Sequence, residues 1–98
     1  MPMPLDQSTN RAIITVLGSD RSGIVAAVAG TLAEYDVNIL DISQTILQGI
    51  FTMTMLVDLS SSDAEFSVLQ SQLDELSHTL CVQITMQREE VFKYMYRL

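Results

Sequence analysis

The residues of this chain that could do chemistry are concentrated in one short segment, Gly18-Ser19-Asp20-Arg21-Ser22-Gly23. The segment follows an apolar, β-branched run and precedes a run with helical spacing of apolar residues. A turn from a strand into a helix points unpaired backbone N–H groups outward at the positive end of the helix dipole. Such groups bind a small anion such as a carboxylate, and a glycine lets a ligand approach the backbone closely. The sequence therefore predicts an anion-binding loop between strand one and helix one.

A second candidate is Asn38, which we expect at the start of strand two and beside this loop. Its amide offers both a donor and an acceptor to a zwitterion. Each candidate also has a structural alternative. Asp20 is equally suited to cap helix one. Gly23 would allow close packing of the loop against the helix, and Asn38 would stabilise a turn. Arg21 would be a solvated charge on the protein surface.

Two catalytic hypotheses can be tested on the same segment. Gly18 and Gly23 have the spacing of the glycines in a P-loop, but Ile24 and Val25 stand where that loop needs Lys and Ser or Thr. Arg21 and Asn38 could instead hold a phosphate and place a water, as in acylphosphatases of ferredoxin-like fold, although the surrounding loop differs from theirs. We therefore expect a protein that is not an enzyme. The alternatives are an acylphosphatase-like hydrolase and a purely structural interaction subunit.

His78 and Cys81 are the residues that could suggest a metal site. Neither has a neighbour at metal-ligand spacing, and there is no Cys-x-x-Cys. His78 is better explained as a favourable charge near the end of helix two, and Cys81 as a small core residue. We expect no metal and no cofactor.

Length, charge and cysteine content limit the possible partners. The chain has 98 residues and a net charge of −7, which argues against nucleic acid because phosphate binding needs clustered Lys and Arg. A single cysteine allows no internal disulfide and fits a reducing compartment. No stretch has the length of a membrane span and the N-terminus is unlike a signal peptide, so we expect a cytoplasmic protein.

The periodicity of apolar residues predicts the order strand, helix, strand, strand, helix, strand. Alternation indicates strands over 12–18, 37–47 and 50–59 and a fourth through 82–86, with Gln48-Gly49 as a hairpin turn. Helical spacing indicates helix one over 22–35, and Ser62–Glu65 is a capping-box pattern that would start helix two. The sequence predicts a short C-terminal helix over residues 89–98. We expect a flexible arm over 1–10 and a single domain over 11–98.

This order predicts an α+β fold, the ferredoxin-like βαββαβ sandwich, with a four-stranded antiparallel sheet, two helices on one face and strands one and three in the centre. The residues expected on the helix-covered face are Leu40, Ile42, Phe51, Met53, Met55, Val82 and Ile84. Those expected on the second face are Ile14, Val16, Ile50 and Leu56. This second face and the exposed edge strand favour an oligomer, with a two-fold dimer as the first expectation.

With this topology, the segment Asp20-Arg21-Ser22-Gly23-Ile24-Val25 and the later Val37-Asn38-Ile39 resemble the ACT domain. Asp-Ile-Ser-Gln-Thr at 41–45 and the C-terminal helix are similar to small stand-alone bacterial ACT proteins of uncharacterised function. The resemblance covers residues 12–98. Related loops often have proline at the position of Ser22 and glycine at that of Asp36.

The resemblance implies regulatory, allosteric binding of a small molecule, commonly an amino acid, by a homo-oligomer. The ligand would lie between the loop after strand one and the neighbouring subunit. By position, the implied ligand-binding residues are Asp20, Arg21, Ser22, Gly23, Ile24, Asn38 and Ile39.

Overall fold

A computed structural model describes residues 10–19 and 23–90. Its elements are β1 (Arg11–Gly18), α1 (Ile24–Glu34), β2 (Asn38–Leu47), β3 (Ile50–Asp58), α2 (Phe66–Leu80) and β4 (Gln83–Arg88). The strands form one antiparallel sheet in the order β2-β3-β1-β4. The predicted βαββαβ fold, with strands one and three in the centre, is confirmed.

One core joins the two helices to the sheet. Alternate residues of β1 and β3 are buried together with the apolar stripe of each helix. The stripe of α1 is Ile24, Val28 and Leu32, at the spacing that places side chains on one helix face. The stripe of α2 includes Leu69 and Leu73. The sheet therefore has a face covered by helices and a face without them among the described residues.

The assignment of β1 residues to the second face was wrong. Ile14 and Val16 are fully buried, and they pair with Met55 and Met53 on the covered face. The sequence could not decide this because both faces of β1 carry apolar residues, with Ile13 and Leu17 on the face opposite to Ile14 and Val16. The register with β3, whose apolar face is unambiguous, fixes the side on which β1 is buried.

Leu40 and Ile42 were expected to be buried on the helix-covered face, and both are exposed instead. Leu40 is 44% exposed and Ile42 39% exposed. Leu40 lies at a register irregularity between Ile39 and Asp41, and Ile42 pairs with the buried Met55. Ile42 therefore lies on the helical side of the sheet, but on an edge strand that the two helices leave exposed.

Two local predictions, and one position where related loops often have glycine, concern turns and helix ends. Gly49 has φ of +82° and follows Gln48 at +51°, so the expected glycine turn is confirmed. Asp36 takes φ of +59° after α1, a left-handed conformation that Asp tolerates. The capping box was wrong, because α2 has Glu65 as its N-cap residue and the Ser62 hydroxyl accepts a hydrogen bond from the Ala64 N–H at 3.2 Å.

Cys81 is exposed rather than buried in the core, and it ends α2 with φ of +56°. His78 lies in the last turn of α2, as expected. Glu89 and Glu90 are helical, while the remainder of the expected C-terminal helix, 91–98, and residues 1–9 of the expected arm lie outside the described residues. Across residues 10–19 and 23–90, no helix is long and apolar enough to cross a membrane.

Candidate ligand site at the β1–α1 junction

The junction begins at the end of β1, where the strand packs closely against its surroundings. A Cβ placed on Gly18 would lie 2.6 Å from Val82 Cγ1 and 3.5 Å from Ile24 Cδ1. Glycine at this position therefore lets the end of β1 and the segment before β4 approach each other. Gly18 is explained by packing, and it fixes the point at which the loop leaves the sheet.

The start of α1 has the features that an anion would use. Its N-cap residue is Gly23, in the left-handed conformation with φ of +78°, and a glycine has no side chain with which to cap the helix. The first turn carries no acidic residue. The Gly23 carbonyl accepts the Ala27 N–H at 2.9 Å, which closes the first turn. The N–H groups at the start of α1 thus carry the positive end of the helix dipole without a capping side chain from Gly23.

The predicted site residues divide into three groups at this junction. Asp20, Arg21 and Ser22 lie outside the described residues, and they occupy the sequence between Ser19 and Gly23. Gly23 is exposed, and apart from its chain neighbours no atom of residues 10–19 and 23–90 lies within 4 Å of where its Cβ would be. Ile24 is almost fully buried, so its side chain belongs to the core and only its backbone can face a ligand.

Asn38 and Ile39 lie at the other end of the sheet from this loop. Asn38 pairs with Asp58, and Asp58 pairs with Arg11 at the first position of β1. Gly18, where the loop begins, is seven residues further along β1, roughly 23 Å at the rise of a strand. The expectation that Asn38 lies beside the loop is therefore wrong within one protomer. A connection through α1, which runs back along the sheet, causes this separation.

The paired strand positions that include Asn38 also include charged residues whose contacts were not predicted from the sequence. Arg11 Nη2 donates to Glu89 Oε2 at 2.9 Å, and the Glu89 side chain is almost fully buried. The hydroxyl and the N–H of Ser60 donate to Asp58 and lower its pKa below 3.8. Burial opposes this shift, and the charge of Arg11 makes a smaller contribution that lowers the pKa. Only the strand register brings these distant charges together, so no local pattern could have revealed them.

Two cavities of the described part lie away from the junction. One of about 580 Å³ lies between α2 and β4 and is lined by polar residues such as Gln70 and Asp74. The other, of about 520 Å³, lies near the start of α2 and includes Arg88, which stacks over the Phe66 ring at 4.5 Å. Neither contains a predicted site residue. Within residues 10–19 and 23–90, no group of three or more metal-ligating side chains is assembled.

Comparison with known proteins gives a consistent result along the chain. The sequence profile of the ACT domain matches residues 10–87. A UPF0237 protein of Methanocaldococcus jannaschii is 46% identical over 89 residues, covering 91% of this chain and 99% of that protein.

Solved structures show the same likeness. An ACT domain protein from Streptococcus pneumoniae is 45% identical with a TM-score of 0.75, covering 88% of this chain and 97% of that one. The ligand-free regulatory subunit of aspartate kinase from Thermus thermophilus, 19% identical with a TM-score of 0.62, shares the fold over 83% of this chain and 52% of its own.

Proposed function

Because this chain belongs to the ACT domain family, we propose that it is a homo-oligomeric regulatory module that binds a small molecule. An amino acid is the first candidate for this ligand. The proposed ligand position is the β1–α1 loop near a subunit interface. The observation that supports it best is the start of α1, where the N-cap residue Gly23 is exposed and contributes no capping side chain.

An amino acid matches the chemistry of this position. Its carboxylate would accept hydrogen bonds from the N–H groups at the start of α1, beginning with Ile24, where the helix dipole is positive. Its ammonium group would lie near Asp20 or near an Asn38 side chain, since carboxylate and amide oxygens both accept hydrogen bonds. Arg21 and Ser22 complete the proposed loop contacts.

The separation of Asn38 and Ile39 from the loop supports a site that is shared between two copies of the chain. A ligand the size of an amino acid cannot reach both ends of β1, which are roughly 23 Å apart. Two copies related by a two-fold axis can place the start of β2 from one against the loop end of the other. We therefore propose that Asn38 and Ile39 are contributed by the partner subunit.

The hydrolase alternative is less well supported by the same geometry. Ser19 and Gly23, which flank Arg21 in the sequence, lie at the opposite end of the sheet from Asn38. One protomer therefore does not offer the combination of a phosphate-binding arginine and a water-positioning asparagine. A measurement of acyl phosphate hydrolysis with the wild type and Arg21→Ala tests this alternative, and turnover that disappears in the variant would establish it.

A reducing compartment, the cytoplasm, is the proposed location. Cys81 is a free and exposed thiol, and an exposed thiol is exposed to oxidation and intermolecular pairing outside such a compartment.

The test is a thermal-shift screen with the common amino acids. A ligand present at a hundred times its dissociation constant should stabilise the fold by about 2.7 kcal/mol. Gly23→Val should lose this stabilisation, because a branched side chain at φ of +78° strains the loop and crowds the approach of a ligand. Gly30→Val is the matched control, since Gly30 is exposed on α1 away from the loop.

The melting temperature of each variant with ligand is compared with that of the same variant without ligand. A change in the variant's own stability therefore does not affect the measured ligand effect. Equal stabilisation of the wild type and Gly23→Val would show that the loop is not the site. If no amino acid raises the melting temperature of the wild type, the proposed ligand class is wrong.

A further inference from the structure

The open face of the sheet, by which we mean the side opposite to α1 and α2, is unevenly exposed. Towards the β1–α1 loop it carries Leu17, which is 39% exposed, and Ile50, which is 54% exposed. Towards the other end it carries Ile13 and Leu56, which pair with each other and are half-buried. Both helices pack on the other face, so they do not account for the lower exposure of Ile13 and Leu56.

β4 shows the same trend along a single strand. Its side chains on the open face are Gln83 and Thr85, which are exposed, and Gln87, which is half-buried. Glu89, which follows the strand, is 4% exposed. β4 is an edge strand, and an edge strand has a neighbour in the sheet on one side only. The rise in burial towards the corner of the sheet therefore indicates that a further part of the molecule lies over it.

Glu89 indicates the chemistry of this cover. Its carboxylate accepts a hydrogen bond from Arg11 at 2.9 Å, and Arg11 lies on the open face with Ile13. Glutamate is almost never fully buried unless it is paired. Arg11 supplies the counter-charge, while the half-buried Ile13 and Leu56 call for apolar neighbours. The cover is therefore expected to be apolar and to enclose one ion pair.

Two segments outside the described residues adjoin this corner, 1–9 and 91–98. They differ in how the chain leaves the sheet. Asn10 is exposed and belongs to a turn, whereas Glu89 is buried and is helical together with Glu90. The chain is already covered where 91–98 begins and is in solvent where 1–9 ends. The C-terminal segment is therefore the better candidate for the cover.

The sequence of 91–98 suits this role. Glu89 is buried and Glu90 is exposed, which fixes the phase of a helix that begins with them. With about 3.6 residues per turn, positions three, six and seven residues after Glu89 follow its side of the helix. These positions hold Phe92, Met95 and Tyr96. The positions three, four and seven residues after Glu90 hold Lys93, Tyr94 and Arg97. The segment therefore has an apolar stripe in phase with the buried Glu89.

The length of the segment matches the distance to be covered. Eight helical residues span about 12 Å, and β3 lies about 10 Å from β4 because neighbouring strands are about 4.8 Å apart. Phe92 is three residues beyond Glu89, a rise of about 4.5 Å, which brings it above β1 and Ile13. Met95 is about 9 Å beyond Glu89, which brings it above β3 and Leu56.

We propose that the helix beginning at Glu89 continues through 91–98 and docks on the open face of its own chain, with Phe92 on Ile13 and Met95 on Leu56. This cover encloses the ion pair between Glu89 and Arg11. It leaves the end of the open face next to the β1–α1 loop uncovered. The inference does not depend on the proposed ligand and is tested without one.

The first measurement is the rate of thiol labelling at position 13 in a Cys81→Ser background. Ile13→Cys should be labelled slowly, and adding Phe92→Asp should accelerate labelling by about tenfold or more, because burial of the Phe92 ring no longer opposes local opening. Tyr94→Asp is the matched control, since Tyr94 is on the opposite side of the proposed helix, and it should leave the rate unchanged. No acceleration by Phe92→Asp, or equal acceleration by Tyr94→Asp, would overturn the proposal.

A second thiol distinguishes uncovering from unfolding. Ala12 is fully buried on the face that the helices cover, so Ala12→Cys should be labelled equally slowly with and without Phe92→Asp. Acceleration at position 12 as large as that at position 13 would mean that Phe92→Asp unfolds the protein, and would contradict a local cover.

Crosslinking identifies which chain the segment covers and does not use Phe92→Asp. In the Cys81→Ser background, Ile13→Cys with Phe92→Cys should form a disulfide within one chain under mild oxidation, because the two Cβ atoms face each other. Ile13→Cys with Tyr94→Cys should stay reduced. Electrophoresis without reductant should show the mass of one chain with both thiols lost. A disulfide between two chains would assign the cover to a second copy, and no disulfide would contradict the docked position.

Discussion

Gly23 and Gly30 lie on the same helical segment but differ in what a side chain would cost. Gly23 has φ of +78°, whereas Gly30 is inside α1 with open space around its Cβ position. We expect Gly23→Ala to destabilise the fold by about 1–2 kcal/mol, the cost of the left-handed conformation for an L-residue. Gly30→Ala should stabilise it by about 0.4–1 kcal/mol. Chemical denaturation of both variants tests this, and equal effects would contradict the assigned backbone at Gly23.

Gly18 is required by contact rather than by conformation. Its Cβ would lie 2.6 Å from Val82 Cγ1, so Gly18→Ala should destabilise the protein by about 1–3 kcal/mol, as overpacking does. The double variant Gly18→Ala with Val82→Ala should recover part of this loss, because the clashing methyl group is removed. The coupling free energy from a double-mutant cycle is the measurement. Simple additivity of the two changes would show that the close approach does not limit this position.

Asp58 gives stability a defined dependence on pH. Hydrogen bonds from Ser60 hold the pKa of Asp58 below 3.8 in the folded state. The unfolded chain then binds more protons than the folded one near this pH, so the carboxylate stabilises the fold above pH 3.8 and loses this effect as pH falls through the lower folded value.

Ser60→Ala should therefore reduce the loss of unfolding free energy between neutral and acidic pH, because the pKa of Asp58 returns toward its usual range. Ser61→Ala is the control, since Ser61 is a neighbouring exposed serine. Urea denaturation over a pH series measures the effect. The same pH dependence in both variants would exclude Ser60 as the cause.

At the scale of elements, the Arg11–Glu89 ion pair joins the start of β1 to the residue that follows β4. Glu89 is buried, and the pair is 2.9 Å long. Arg11→Met should destabilise the protein by about 1–3 kcal/mol, because a buried carboxylate loses this counter-charge. Glu89→Gln combined with Arg11→Met should recover part of the loss.

Arg88→Met is the matched control for this pair. Arg88 is exposed and stacks over Phe66, so its replacement should cost less than about 1 kcal/mol. Thermal denaturation of the four proteins distinguishes the two arginines. An equal cost for Arg11→Met and Arg88→Met would mean that the buried pair contributes no more than a surface contact.

Elements with a clear period were predictable from the sequence, and elements whose role depends on neighbours were not. β3 alternates strictly, and its buried residues Phe51, Met53 and Met55 were identified correctly. β1 is apolar on both faces, so only pairing with β3 decides which side is buried. The capping-box pattern at Ser62 failed because the chain makes a separate turn there before α2 begins.

At the scale of the whole molecule, the predicted site depends on where the elements lie in space. The position of the loop after β1 followed from local sequence, and Gly23 at the N-terminus of α1 has the exposed backbone that was expected. The distance from Asn38 to this loop did not follow, because it is set by the direction of α1 and by the sheet register. The proposed site is shared by two subunits, and such a site cannot be predicted from one chain's local pattern.

A shared site makes a specific prediction for mixed dimers. Each proposed site combines the loop of one subunit with Asn38 of the partner subunit, so Gly23→Val and Asn38→Ala should each abolish binding of the amino acid found by the screen. When the two variants are unfolded together and refolded as a mixture, each heterodimer contains one site with both defects and one site with none. With random pairing of equal amounts, half of the dimers are mixed, and about a quarter of the wild-type number of sites should return. Isothermal titration calorimetry measures this number, with each variant refolded alone as the control. A mixture that binds no better than its components would show that loop and asparagine do not act across the interface.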